Sequence, residues 1–168
     1  HGYNNVYTYL STPYSGCYNH LSDGVGFALY TAHGLEYCWD YPRFAVSDVD
    51  NLTNVDKYFW SVGNCCLSGD WSYSISKSLG EALICADEKG AWGYIGSCPL
   101  TYWWEDYYFA VGATNVMYDM PEYEETTMGC YDALWSDSYN TLSAVMFSGN
   151  LSVAYSHLND YDSAVSSR

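Results

Sequence analysis

Two short stretches of this chain carry side chains that could do chemistry together. Tyr58-Phe59-Trp60-Ser61-Val62-Gly63-Asn64-Cys65-Cys66 runs from an apolar, strand-like segment through a Gly-Asn turn into two adjacent cysteines. Gly26-Phe27-Ala28-Leu29-Tyr30-Thr31-Ala32-His33-Gly34 has the same form, an apolar run that ends in His-Gly. A thiol is a strong nucleophile only as the thiolate, and an imidazole beside it takes up the proton and returns one to a leaving group. Taken singly, each motif is bland. A His-Gly after a strand is most often a capped turn, and a Cys-Cys pair is usually a buried thiol or a disulfide partner. A histidine and a cysteine at the exits of two apolar runs are more specific, because acyl transfer needs that pair together with backbone N–H groups aimed at the oxyanion.

Such a pair requires two neighbouring parallel strands with their C-terminal ends on one edge of a sheet. Gly26 to Thr31 and Lys57 to Val62 read as these strands, continuous apolar runs of the kind buried on both faces. Ala91 to Ser97 reads as a third strand. Ile75, Leu79, Ala82, Leu83 and Ala86 fall on one helical stripe, which predicts a helix over 75–89 stopped by Gly90. Further helices are expected over Tyr14 to Leu21, Val49 to Asn54 (with Ser47-Asp48 as its cap), Tyr107 to Met120, and Tyr139 to Tyr155 with Leu142, Val145 and Met146 facing inward. Gly34 to Val46 reads as a loop and Thr126 to Trp135 as a weak segment. Alternating strands and helices without an internal repeat or linker predict one α/β unit over 1–168, built on a parallel sheet.

Composition narrows the function classes. Twenty acidic residues against five basic ones give a formal net charge of -15, which excludes nucleic acid and anionic membranes as partners, since both need Lys/Arg clusters. The acidic field favours cationic partners, including peptides with Lys or Arg. No apolar run approaches the ~20 residues that span a bilayer. The seven cysteines are odd in number and contain no C-x-x-C pair, and four scattered histidines complete no zinc pattern.

Beyond this general logic, the wording of several segments resembles a known family. Tyr30-Thr31-Ala32-His33-Gly34, Leu52-Thr53-Asn54, Asp56-Lys57-Tyr58-Phe59 and Gly63-Asn64-Cys65-Cys66 are similar to segments of the gingipains, the caspase-like cysteine peptidases of family C25. Glu88-Lys89-Gly90-Ala91, Tyr94-Ile95-Gly96-Ser97, Glu105-Asp106-Tyr107-Tyr108 and Asp137-Ser138-Tyr139-Asn140-Thr141 follow in the family's order. The Thr-Ala-His-Gly and Asn-Cys-Cys wording is that of the lysine-specific branch. The resemblance implies a caspase-like α/β fold and a secreted or cell-surface endopeptidase that cleaves protein or peptide substrates after lysine. It implies Cys66 as nucleophile, His33 as the catalytic histidine, and the N–H groups of Gly34 and Cys66 as the oxyanion hole. It further implies Asp106 as the carboxylate that receives the P1 lysine, with Thr31, Tyr102 and Trp103 lining the pocket. No cofactor is implied for catalysis; a structural calcium or sodium ion is, with ligands the sequence does not single out.

The departures shape the expectations as well. Leu67 to Gly80 shares little wording with the family, and His-Gly-Ser-Glu in the family is His33-Gly34-Leu35-Glu36 here. In the family an acidic residue well upstream orients the histidine, and the chain begins after that position. The resemblance therefore implies the C-terminal part of a catalytic domain, completed by a companion chain. Glu105 and Asp106 also have a simpler role open to them, as acids at the N-terminus of the helix expected near Tyr107. Two other functions remain open from the residues alone. One is a non-catalytic binding module that retains the peptidase fold, and the other is arginine rather than lysine preference.

Overall fold

The structure is a computed structural model that describes residues 3–10, 14–112, 123–126, 128–136 and 138–166. The chain divides into two compact units, one over residues 2–101 and one from Tyr102 onward.

The first unit is organised by a parallel sheet. Strand β1 (Phe27–Thr31) pairs with the central strand β5 (Phe59–Asn64), which pairs in turn with β6 (Ala91–Gly96). All six residues of β5 are buried, as expected for a strand covered on both faces, whereas β1 and β6 are only partly covered. All three strands lie close to their expected places. The crossover from β1 to β5 contains a feature that hydropathy did not announce. Three two-residue strands, β2 (Gly34–Leu35), β3 (Cys38–Trp39) and β4 (Phe44–Ala45), form a small antiparallel sheet in the segment expected to be a loop. Two-residue strands are too short to show alternation, so no sequence period marks them.

Helix α1 (Tyr14–Asp23) precedes β1, and α2 (Val46–Val49) begins three residues before its expected start. Asp48, expected to cap α2, instead lies in its first turn and accepts a hydrogen bond from the Ala45 N–H at 2.7 Å. Helix α3 (Leu79–Ile84) is much shorter than the expected 75–89. Ser78 starts it, its hydroxyl accepting from the Glu81 N–H at 3.3 Å, which leaves Ile75 outside and 83% exposed. The core joins Tyr30, Trp39, Phe44, Val49, Leu52 and Phe59 to Leu79, Ala82, Leu83 and Ala91.

One buried polar side chain ties the sheet's N-terminal ends together. Asn54 donates through Nδ2 to the carbonyls of Lys57 (3.0 Å) and Gly90 (2.8 Å), while its Oδ1 accepts from the Gly90 N–H at 2.9 Å. Gly90 adopts a left-handed φ of 83°, which glycine tolerates without cost. Replacing Asn54 with Ala should therefore cost about 2–4 kcal/mol, because it takes the acceptor from the Gly90 N–H and removes a donor from the Gly90 and Lys57 carbonyls. A urea titration with an unchanged slope and a lowered midpoint checks this.

The second unit is helical: α4 (Trp103–Val111), α5 (Cys130–Leu134) and α6 (Leu142–Ser166) pack on one another, with a 3-10 turn at Tyr123–Glu125. Helix α4 starts four residues earlier than expected and stops at Val111, where Gly112 takes a left-handed φ of 97°, short of the expected end at Met120; residues 113–120 lie outside the described residues. Helix α6 buries Val145, Ser148, Ser152 and Ser156 and exposes Met146, Phe147, Leu151 and Tyr155. Of the expected Leu142-Val145-Met146 face only Val145 is buried, and the rest of the buried face is made of small residues. Close approach explains this, since a Cβ placed on Gly149 would come within 2.7 Å of the Phe109 ring on α4.

Candidate active site

Parallel pairing in the register Tyr30↔Gly63 and Thr31↔Asn64 brings the exits of β1 and β5 side by side. His33 and Gly34 follow the first strand, and Cys65 and Cys66 follow the second. The two turns touch through Gly34. A Cβ built there would lie 2.5 Å from Cys65 Sγ and 3.0 Å from the Cys66 carbonyl oxygen, so only glycine lets the His-Gly backbone run against the Cys-Cys backbone.

The histidine turn is anchored from below. The Tyr30 hydroxyl donates to the His33 carbonyl at 2.6 Å and accepts from the Asp40 and Tyr41 N–H groups at 3.0 and 3.1 Å. Its ring stacks on Trp39, with centroids 4.8 Å apart. The His33 carbonyl also receives the Asp40 N–H at 3.0 Å. His33 itself is exposed at the sheet edge. Burial pushes the Tyr30 phenol up to about 12, so it stays neutral in the folded protein where an unfolded tyrosine ionises near 10. A raised folded value makes its contribution complete below pH 10 and lost as pH climbs through about 12. Tyr30→Phe should cost about 1–2 kcal/mol at neutral pH, because the Tyr41 N–H loses its acceptor while the His33 carbonyl and the Asp40 N–H keep only each other, and should flatten the fall in stability over that alkaline window. Urea midpoints measured at neutral and alkaline pH check both effects.

The two cysteines have different surroundings. Cys65 is 1% exposed, and its thiol donates to the Ser68 hydroxyl at 3.3 Å. Cys66 is only half-buried. Immediately after it the chain makes a tight turn, in which the Ser68 N–H reaches the Cys66 carbonyl at 2.7 Å and Leu67 takes a φ of 61°. A left-handed leucine is strained by about 1–3 kcal/mol, and such strain concentrates at sites where geometry is held for function. Asn64, just before the pair, is buried and donates to the Thr31 hydroxyl at 3.4 Å, linking the ends of β1 and β5. Among the described residues, which include all seven cysteines, no disulfide is formed.

A strand-end histidine and a half-buried strand-end thiol thus follow two paired parallel strands, with a glycine that admits both backbones between them. The sequence matches the family model described as peptidase family C25 over residues 3–166. The chain belongs to peptidase family C25. It is 49% identical over 156 residues to Lys-gingipain W83 of Porphyromonas gingivalis and equally so to Lys-gingipain of strain ATCC 33277, matching 92% of its own length in both cases. The chain spans 9% of the length of those relatives. Among solved structures it superposes on one titled "Structure of Protease" with a TM-score of 0.87 at 48% identity, covering 93% of this chain and 34% of that one. The Arg-specific cysteine proteinase gingipain R superposes with a TM-score of 0.69 at 20% identity over 87% of this chain and 32% of the other, a likeness of fold. Within this C25 chain, the parallel sheet flanked by helices is the expected α/β architecture.

The remaining residues singled out by sequence fall in two places. Thr31 is exposed at the end of β1. Tyr102, Trp103 and Asp106 belong to the second unit, where Tyr102 precedes α4 and the other two lie in its first turn. Asp106 is 9% exposed and its N–H donates to the Tyr102 carbonyl at 2.9 Å, while Tyr102 and Trp103 are exposed. The two acids thus occupy the helix N-terminus where the dipole favours negative charge, with Glu105 also 3.5 Å from His157. Of the segments that carried the resemblance, Asp137 lies outside the described residues. Among the described residues no cluster of three or more His, Cys, Asp or Glu side chains is placed to hold a metal ion, and no helix is long and apolar enough to cross a membrane. Thr101, which sequence reasoning passed over, contacts the Cys66 sulfur.

Proposed function

We propose that this chain supplies the nucleophile and the catalytic histidine of a secreted or surface cysteine endopeptidase that cleaves after lysine. The observation that carries the reading is the contact of the two strand-end turns, Gly34 against Cys65 and Cys66 at the exits of paired parallel strands. The Cys66 thiolate attacks the scissile carbonyl carbon, and the carbonyl π electrons move onto oxygen. The N–H groups of Gly34 and Cys66 receive that oxyanion. The tetrahedral species collapses to a thioester as the C–N bond breaks, and His33 delivers a proton to the departing amine. Water, deprotonated by His33, then hydrolyses the thioester, releasing the acid and restoring the thiol.

Lysine preference rests on the family wording and on 49% identity to Lys-gingipains. The family resemblance assigns Asp106 to the P1 ammonium, and Thr31, Tyr102 and Trp103 to the recognition of the P1 side chain. A carboxylate left unpaired by the wrong side chain makes such a site selective. Catalysis needs no cofactor in this reading. The partners are protein or peptide substrates with accessible lysines.

The test is covalent labelling of the protein with a lysyl ketone inhibitor in parallel with an arginyl one, mapped by mass spectrometry. Lysyl-selective modification of Cys66 supports nucleophile, pocket and specificity together. Arginyl-selective modification would reassign the P1 preference. Absence of labelling, with Cys66 still alkylated by iodoacetamide, would overturn the peptidase reading in favour of a binding module.

A further inference from the structure

We propose that Thr101 is a positioning residue that holds the Cys66 sulfur and favours its thiolate form. The inference rests on the reading of Cys66 as nucleophile and goes beyond it by naming what stabilises the anion before substrate arrives.

Thr101 meets the sulfur at three atoms. Its N–H donates to Cys66 Sγ at 3.3 Å, its hydroxyl lies 3.6 Å from Sγ, and its carbonyl accepts from the thiol at 3.5 Å. These contacts respond differently to ionisation. A carbonyl can accept only from an S–H, so it favours the neutral thiol. The amide N–H and the hydroxyl both donate to a thiolate, and donors to the charged form lower a pKa. The amide and the carbonyl of one residue oppose each other, which makes the hydroxyl the deciding group. It is also adaptable, able to accept from the thiol and then rotate to donate to the thiolate.

Thr101 is held in place by the loop that leaves β6. The Gly69 N–H donates to the Ser97 carbonyl at 2.9 Å and the Leu67 N–H to the Pro99 carbonyl at 3.2 Å. The Cys98 thiol donates to the Gly69 carbonyl at 3.2 Å, and the Ser97 hydroxyl closes on the Pro99 carbonyl at 2.9 Å. The turn after Cys66 and the segment 97–101 are therefore laced together by these hydrogen bonds. The other titratable groups on the segments that meet here are His33 after β1, Cys65 with its thiol on Ser68, Cys98, and Asp70, whose carboxylate accepts from Ser72. Of these, His33 lies on the turn that follows the neighbouring strand, so the test separates its effect from that of Thr101.

The experiment follows iodoacetamide alkylation of the Cys66 peptide against pH by mass spectrometry, a readout that needs no substrate turnover. Thr101→Val removes the hydroxyl and keeps the shape. The expected result is an upward shift of the midpoint by ~0.5–1 pH unit, or ~3–10-fold slower alkylation below the midpoint. The plateau rate at high pH should be unchanged, and Thr101→Ser should restore the original midpoint. The same shift should appear in a His33→Ala background. An unmoved or lowered midpoint in Thr101→Val overturns the proposal. The Thr101→Ala and Thr101→Ser pair repeats the comparison without the bulk of Val, and equal midpoints in that pair overturn it as well. Failure of the Cys/His reading is seen separately, as a midpoint that His33→Ala leaves unmoved while Thr101 is intact.

Discussion

Cys66→Ala should abolish cleavage of lysyl peptide substrates, lowering kcat by about 10^4-fold or more, the scale on which loss of a covalent nucleophile acts. Cys65→Ala, one residue away, should leave kcat within about tenfold, its cost falling on stability instead. The contrast follows from burial. Cys66 is half-buried at the sheet edge, whereas Cys65 is 1% exposed with its sulfur on Ser68 beneath the Gly34 backbone. Truncating a small buried side chain removes packing worth about 1 kcal/mol without touching the reacting atoms. Initial rates on a lysyl amide substrate, together with urea midpoints for both variants, decide the assignment. If Cys65→Ala were the inactive variant and Cys66→Ala the active one, the nucleophile would have to be reassigned.

Gly34→Ala should also damage the site, by a smaller factor. The new methyl would sit 2.5 Å from Cys65 Sγ and 3.0 Å from both Cys65 Cβ and the Cys66 carbonyl oxygen, closer than carbon approaches those atoms without displacement. The side chain of Cys65 is buried and the carbonyl is backbone, so neither yields cheaply, and the two strand-end turns must part. Displacement of a catalytic group by about 1 Å costs about 10^2-fold in rate, and overpacking of a core contact costs about 1–3 kcal/mol. The expected outcome is a fall in kcat/KM of at least about 10^2-fold with a modest loss of stability. The double variant Gly34→Ala/Cys65→Ala removes the 2.5 Å clash with sulfur and leaves the 3.0 Å contacts, so it should recover part of both losses. Parallel rate and denaturation measurements on the two single variants and the double variant give the coupling between these neighbours. Additive losses would mean that the contact does not hold the turns together.

Long apolar runs were read well from sequence, and short elements were not. β1, β5 and β6 appear where continuous hydrophobicity placed them, because a buried parallel strand is apolar throughout whatever its neighbours do. Helix α3 came out shorter than its stripe, since Ile75 fits a helical period but has no core to face and Ser78 offers a cap three residues later. In α6 the inward face is built of serines, a glycine and one valine, with Phe147, Leu151 and Tyr155 outside. Hydrophobic patterning points the wrong way there because the helices approach so closely that small residues are selected over large ones. Thr101 escaped notice for a related reason: a threonine in an irregular segment after Cys98-Pro99 carries no periodic or motif signal.

By itself, then, the sequence determined the α/β class, the family, and the pairing of a strand-end His33-Gly34 with a strand-end Cys65-Cys66, because strand hydrophobicity and motif wording are local properties. The tertiary structure decided which cysteine is accessible, why residue 34 must be glycine, and that Thr101 contacts the Cys66 sulfur. Those three facts depend on distances between segments some thirty to thirty-five positions apart in the chain. Only strand register and the lacing of loops set such distances, and neither is written in any one stretch of residues.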